Sequence, residues 1–302
     1  MLVLYAIAIK AVTNSIQKIS KWQQIVNKCL LNLKLSANDN RINGRSLVEF
    51  SLTTYEFLAV VAAIAGFLSA LTGSSGIVIL PALLYTGLPP HLALGTSKLF
   101  TTTSLFTAAL CYIRKGLFKP RYWVATTVAT IVGAVIGVLL TQLFSNAALR
   151  QLLPLFIAGI AVYLIFPCRF KSEKAISRNF LQSPLTVSIG SFFGVYSGFI
   201  GAGTGAIWIS FCTGFFKAET VEANALAQYM CFVTNLVALL VFIGLGQVHF
   251  TAGVLMAGCG ALGAFLGSKT AIQGGSQMIK HTLIAMTLLM SGNLAVTNWF
   301  SG

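Results

Sequence analysis

Two apolar segments are interrupted by the same pattern of glycine and hydroxyl residues, and this repetition limits what the chain can fold into. The first interruption reads GFLSALTGSSG at 66–76, and the second reads GVYSGFIGAGTG at 194–205. Three positions recur at one constant spacing: Gly66 and Gly194, Ser69 and Ser197, Gly73 and Gly201. In lipid, an open backbone is tolerated only where protein or a polar cavity supplies its hydrogen bonds. Paired interruptions in two halves are typical of a transporter's substrate site.

The rest of the sequence is that of a membrane protein. Only 9% of its 302 residues are charged and 56% are apolar, whereas soluble domains are about a quarter charged. From Tyr55 onward the apolar runs reach the roughly 20 residues that a transmembrane helix needs. We therefore expect an all-α polytopic membrane protein of about eight transmembrane helices. They form two homologous four-helix halves, each with a glycine-broken helix.

The predicted spans follow from the lengths of the apolar runs. The segment 54–88 is too long for one span and too short for two, so we expect a break at Gly73–Gly76, and likewise at Gly201–Gly205. The first half is predicted to contain helices at 54–72, 76–88, 97–113, 122–143 and 149–167. The second is predicted to contain helices at 184–200, 205–216, 223–243, 250–269 and 277–298.

Four regions result from this division. Residues 1–48 form a basic N-terminal arm, either an amphipathic surface helix or a disordered segment. The first transmembrane repeat is expected at 54–167 and the second at 184–298. A basic loop at 168–183 joins them and is expected in the cytoplasm.

The net charge of +14 comes from basic residues in the arm and in two short loops, 114–121 and 168–183. With eight spans these three regions share one side, which holds fifteen Lys and Arg residues against five on the other. The positive-inside rule then predicts both termini in the cytoplasm, and we expect the protein in the cell inner (plasma) membrane. If the half-helices instead return to their starting face, the number of spans changes and this inference weakens. Charge of this kind does not predict nucleic-acid binding.

The order of the motifs resembles the sulfite exporter TauE/SafE family of anion transporters. Each half of that family has a glycine-rich break, followed by a proline and a small-residue segment that opens the next helix. The matching stretches here are Gly73-Ser74-Ser75-Gly76, Pro81 and Ala93-Leu94-Gly95-Thr96-Ser97-Lys98, then Gly201-Ala202-Gly203-Thr204-Gly205 and Glu222-Ala223-Asn224-Ala225. The second half lacks a proline matching Pro81. The resemblance covers about 54–298 and implies transport of small anions such as sulfite, sulfonates or related oxyanions.

The breaks offer what a small oxyanion needs. A helix that restarts after Gly76 or Gly205 presents free N–H groups and a partial positive charge, and glycine lets the backbone approach closely. Hydroxyl, amide and ammonium groups nearby add donors. The candidate substrate-binding residues are Gly73, Ser74, Ser75, Gly76, Thr96, Ser97, Lys98, Gly201, Gly203, Thr204, Gly205, Asn224 and Gln228.

Each of these residues also has a purely structural interpretation. Glycine and serine line contacts between transmembrane helices without touching a ligand. This is the favoured interpretation for Gly133 with Gly137 and for Gly263 with Gly267, which recur at almost the same spacing as the breaks. Lys98, the best cation near the first break, is equally typical of a lysine that snorkels from a helix end.

Three functions remain open. The leading hypothesis is a secondary transporter, an exporter of a small anion by alternating access between two repeats. The alternatives are an anion channel and a polytopic membrane enzyme. The enzyme is disfavoured because the six acidic residues lie outside the middles of the spans and the three histidines are far apart in sequence. No cofactor and no metal are expected, and the expected partners are a small anion and the lipid bilayer.

Overall fold

The computed structural model describes residues 51–73, 76–149, 151–153 and 184–300, with backbone only for some positions near the ends of these ranges. All regular structure in these residues is helical, as expected. By length and composition, four helices in this part of the chain could cross a membrane: Leu52–Thr72, Val124–Gln142, Thr220–Gly244 and Phe250–Gly275. The total of eight spans stays a prediction. The arm at 1–48, most of the span 149–167 and the loop 168–183 lie outside the described residues.

The first break is present. Helix α1 (Leu52–Thr72) ends at Gly73, whose φ of 66° lies in the left-handed region that glycine adopts without steric cost. Helix α2 (Gly76–Tyr85) follows and runs back along α1. The rings of Phe57 and Tyr85 lie 6.4 Å apart, although they are about 22 Å and 14 Å of helix from the break. Only a reversal of direction brings them together.

The second break has the same shape. Helix α5 (Pro184–Phe199) ends shortly before Gly201, whose φ is 78°, and helix α6 (Thr204–Gly214) begins after Gly203. The ring of Phe193 on α5 packs against Trp208 at 4.9 Å and Phe211 at 5.8 Å, both on α6. A straight continuation would separate Phe193 from Phe211 by about 27 Å along the axis. Both broken segments are therefore helical hairpins.

Two long helices run in opposite directions between these hairpins. Helix α3 (Pro90–Arg114) begins near the end of helix α7 (Thr220–Gly244), where the backbone N–H of His249 donates to Thr96 Oγ1 at 2.9 Å. The end of α3 lies near the start of α7, where Asn224 Nδ2 donates to Tyr112 Oη at 2.8 Å. The expected start of this span at residue 97 is wrong, because Pro90 suits the first turn of a helix and moves the start to position 90.

The hairpins also change which segments share a side. We call the side where α1 and α3 begin the proximal side, and the side of the 115–123 loop the distal side. Because α2 returns to the proximal side before α3 starts, α3 crosses from the proximal to the distal side. The start of α1 and the 115–123 loop therefore lie at opposite ends of the described helices, which is the case in which the inference from the fifteen-to-five count weakens. The open alternative, in which half-helices return to their starting face, is the one observed.

Small residues allow two pairs of helices to touch backbone to backbone. Helix α4 (Val124–Gln142) packs on α5, and a Cβ added at Gly133 or Gly137 would overlap a backbone oxygen of α5. Helix α8 (Phe250–Phe300, broken at Gly275) packs on α1, and a Cβ at Gly263 or Gly267 would overlap a backbone oxygen of α1. The packing interpretation of these four glycines is confirmed. Each pair joins one helix from before residue 168 to one from after it.

Candidate functional site

The two glycine breaks, far apart in sequence, touch each other. A Cβ added at Gly73 would lie 2.8 Å from the Cα of Gly205, and one at Gly205 would overlap the backbone of Gly73. A Cβ added at Gly76 would lie 3.3 Å from the Cα of Ala202. Any side chain larger than hydrogen at Gly73 or Gly205 would separate the hairpins. The tips of the hairpins and the N-termini of α2 and α6 therefore share one small region.

The sequence around the second break explains its shape. Gly201 and Gly203 both have a φ of 78°, a conformation that side chains larger than hydrogen rarely adopt. Gly203 is the N-cap of α6, and its carbonyl accepts the Ile207 N–H at 3.1 Å. Thr204 Oγ1 donates back to the Gly201 carbonyl at 3.1 Å. This turn directs the start of α6, with the partial positive charge of a helix N-terminus, toward the first break.

A buried ammonium group stands beside the second break. Lys98, eight residues inside α3, is only 2% exposed. Its Nζ donates to the carbonyls of Ser197 at 2.7 Å and Ile200 at 3.5 Å and to Asn235 Oδ1 at 3.1 Å. The snorkelling interpretation of this lysine is therefore wrong. The cation is held at the C-terminal end of α5, where helix carbonyls carry partial negative charge.

Two further residues of α7 complete this environment, and the sequence analysis missed them. Asn235 accepts from Lys98, and its Nδ2 donates to the Cys231 carbonyl at 2.7 Å, which fixes the amide. Thr234 Oγ1 shares a hydrogen bond of 2.7 Å with the hydroxyl of Ser197. One pattern pointed to Asn235: it lies seven residues after Gln228, so both amides occupy one face of the helix.

The first break is capped by neutral groups instead. The carbonyl of Ala70, near the end of α1, accepts hydrogen bonds from Tyr112 Oη at 3.0 Å, Asn224 Nδ2 at 3.1 Å and Gln228 Nε2 at 2.9 Å. Gln228 Nε2 also donates to the Ser69 carbonyl at 2.7 Å. The side-chain donors of Asn224 and Gln228 are thus engaged with the end of α1.

The caps of the two breaks correspond to each other. Ser69 and Ser197 are equivalent positions of the repeated pattern, and each carbonyl accepts from a long helix on the far side of the 168–183 loop. The donors, Gln228 and Lys98, are separated in sequence by almost the same spacing as the two serines. The two caps differ in charge, because a neutral amide caps α1 and an ammonium group caps α5.

Thr96 and Ser97 lie on the same helix as Lys98 but have different surroundings. Thr96 Oγ1 donates to the Leu92 carbonyl at 2.7 Å and accepts from the start of α8. Ser97 Oγ donates to the Leu94 carbonyl at 2.7 Å. The structure therefore brings Gly73, Gly76, Lys98, the 201–205 turn, Asn224 and Gln228 together, while the hydroxyls of Thr96 and Ser97 donate to carbonyls of their own helix. Ser74 and Ser75 are outside the described residues.

Comparisons with known proteins point to a membrane transporter. The family model of the sulfite exporter TauE/SafE matches residues 58–294. A probable membrane transporter protein of Haemophilus influenzae is 31% identical over 255 residues, which cover 84% of this chain and 99% of that protein. The probable membrane transporter protein YfcA of Escherichia coli K12 is 30% identical over 240 residues, covering 78% of this chain and 88% of that protein.

A third relative extends the same pattern. The probable membrane transporter protein ORF9 of a Sinorhizobium species is 30% identical over 235 residues, covering 78% of this chain and 90% of that protein. A comparison with solved structures found no significant match. The apolar helices and these relatives together support a multi-pass membrane protein that acts in transport. The chain belongs to the sulfite exporter TauE/SafE family.

Proposed function

We propose that the protein is a secondary transporter that exports a small anion such as sulfite, a sulfonate or a related oxyanion. One observation carries the proposal, the ammonium group of Lys98 buried between helices with neutral partners. All of its hydrogen-bond acceptors are backbone carbonyls or an amide. The carboxylates in the described part of the chain are Glu56 and Glu219, both exposed, and Glu222 in the first turn of α7.

A buried charge of this kind needs a counter-charge. Ionisable residues within transmembrane helices are costly, and they mark substrate or ion pathways. The carbonyls at the end of α5 offset part of the cost, because a helix C-terminus carries about half a negative charge. The remainder of the positive charge is available to an anion that enters the region of the breaks. The same argument disfavours a cationic substrate, which Lys98 would repel.

The anion itself is proposed to sit between the two hairpins, near the starts of α2 and α6. Lys98 already has three acceptors for its three N–H groups, so it acts mainly through its charge at short range. Direct hydrogen bonds are proposed to come from backbone N–H groups around Ser75–Gly76 and Gly203–Gly205, at the starts of α2 and α6. Asn224 and Gln228 hold the end of α1 in place beside this site.

We also propose that residues 54–167 and 184–298 are two inverted repeats that alternate in access around this site. Three observations support the proposal. The hairpins are capped at corresponding serine carbonyls, α3 and α7 run in opposite directions, and the breaks meet where the halves meet. Inverted repeats with broken helices at their interface are a common architecture of secondary transporters.

The decisive experiment measures uptake of sulfur-labelled sulfite into proteoliposomes. Lys98→Met is expected to lower anion affinity about ten- to a hundredfold, the loss typical of an interaction with a charged group. Lys269→Met is the matched control, because Lys269 is exposed on α8 and lies over the Phe265 ring at 4.3 Å. Parental affinity in Lys98→Met would contradict the proposed role of this cation.

The same vesicles separate a transporter from a channel. A transporter shows saturable flux and exchanges labelled anion inside for unlabelled anion outside, whereas a channel shows neither exchange nor saturation at low concentration. We propose that the protein lies in the inner membrane. The location of both termini in the cytoplasm stays a prediction. Because the half-helices return to their starting face, the count of basic residues no longer decides the orientation of the protein, and labelling has to determine it.

A further inference from the structure

Gln228 carries a buried oxygen that has no hydrogen-bond partner. Its side chain is 0% exposed, and its Nε2 lies within hydrogen-bond distance of three oxygens, those of the Ser69 and Ala70 carbonyls and Asn224 Oδ1. Exchanging the amide nitrogen and oxygen would set oxygen against all three, so the orientation of the amide is fixed. Oε1 therefore faces away from these oxygens and is unpaired. Because buried acceptors are nearly always paired, this one needs a donor that the surrounding described residues do not supply.

A second unpaired group belongs to Ser69, whose carbonyl Gln228 contacts. The hydroxyl of Ser69 is 0% exposed and has no partner. It belongs to the residue whose carbonyl Gln228 caps, four residues before Gly73 at the contact between the breaks. The region around the first break thus contains an acceptor and a hydroxyl, both unsatisfied, beside the helix starts proposed to bind the anion.

The charge of the site comes from its other end. Gln228 and Asn235 lie two turns apart on one face of α7, about 10 Å along the axis, and Asn235 contacts Lys98 Nζ. One positive charge therefore stands near the second break, and an unpaired acceptor stands near the first. The described site thus offers a positive charge toward one end and a hydrogen-bond acceptor toward the other.

From these two features we infer that the substrate is a monoanion that also carries an O–H or N–H donor, such as hydrogen sulfite or a hydroxyalkylsulfonate. The charged oxygens face Lys98 and the start of α6, and the donor pairs with Gln228 Oε1. A dianion leaves one negative charge uncompensated in the membrane, and an anion without a donor leaves Oε1 unpaired. This inference rests on the proposed function and narrows its substrate class.

Two sulfonates of nearly equal size test the donor. The probes are 2-hydroxyethanesulfonate and ethanesulfonate, both monoanions, which differ by one hydroxyl group. In proteoliposomes containing the full chain, 2-hydroxyethanesulfonate is expected to have about five- to a hundredfold higher affinity, since a buried acceptor is paired only in its complex. Sulfate, a dianion, is expected to be weaker than 2-hydroxyethanesulfonate by about a hundredfold.

The variant Gln228→Met then tests whether Gln228 causes the preference for 2-hydroxyethanesulfonate over ethanesulfonate. The ratio of the two affinities within one variant is independent of how much folded protein is present, and it is expected to fall to about one. Gln247→Met is the control, because Gln247 also has an unpaired Oε1 but lies between α7 and α8, so its ratio should equal the parental one. Equal affinities in the parental protein, or a parental ratio in Gln228→Met, overturn the inference and leave anion transport standing. Absence of binding and transport for every anion tested overturns both.

Discussion

At the residue scale, the net charge around Lys98 depends on its partner Asn235, which is neutral. Asn235 contributes an oxygen to the ammonium without contributing a charge, so the net charge of the cluster stays positive. The sequence pointed to Lys98 through its place after Thr96-Ser97. It did not reveal the depth of the ammonium, since that depends on α3 starting at Pro90 and on contacts with α5 and α7. Asn235 was missed because its only signal in the sequence is its spacing of seven residues from Gln228, which a packing residue can share.

Asn235→Asp tests this at constant side-chain volume. An ionised carboxylate beside Lys98 would form an ion pair and cancel the positive charge of the cluster. We expect anion transport to be lost, while the melting temperature in detergent is kept or raised because a buried cation gains a partner. Asn235→Leu serves as the comparison. It removes an acceptor but keeps the charge, so it should lower the melting temperature and retain part of the transport. Transport by Asn235→Asp at the parental rate would show that the charge is irrelevant.

At the element scale, the two hairpins divide into a part that the sequence predicts and a part that it does not. Gly73 and Gly201 stand in apolar runs, and their positive φ is a local property that residue type reveals. The direction in which α2 and α6 leave the breaks is a property of long-range packing, such as the contact of Phe193 with Phe211. The positions of the two breaks were therefore predicted correctly. The return of α2 to the proximal side, which decides where the loop between α2 and α3 lies, was not.

The glycine-rich contacts between α1 and α8 and between α4 and α5, which we call the helix seams, give the prediction at this scale. Gly263→Ala places a methyl group against the backbone of α1, so we expect a loss of about 1–3 kcal/mol and a lower melting temperature. Gly258→Ala, on the same helix, meets nothing within 4 Å. It should be neutral or raise stability by roughly 0.5–1 kcal/mol through better helix propensity. Thermal unfolding in one detergent compares the two variants. Equal melting temperatures would mean that α1 and α8 are not in close contact.

At the scale of the whole molecule, the seams join helices from different halves of the sequence. Helix α1 packs on α8 and α4 packs on α5, while α3 and α7 touch at the centre. The described helices of the two repeats are therefore interleaved. Sequence repetition predicts equivalent elements, but it does not state which copy each element packs against, because that depends on the contacts between glycine-rich faces.

The path of the chain through the membrane follows from the hairpins and can be tested by labelling. Single cysteines would replace Thr53 and Leu245 at the proximal side, and Lys115 and Phe215 at the distal side, in a chain whose own six cysteines are replaced by serine. All four positions are exposed. In intact cells, an impermeant maleimide is expected to label one pair and spare the other, because α2 and α6 return to the side from which their hairpins enter. Straight broken helices would instead place Thr53 and Lys115 on the same side. Joint labelling of those two positions would therefore refute the hairpins, while the identity of the labelled pair fixes the orientation of the protein.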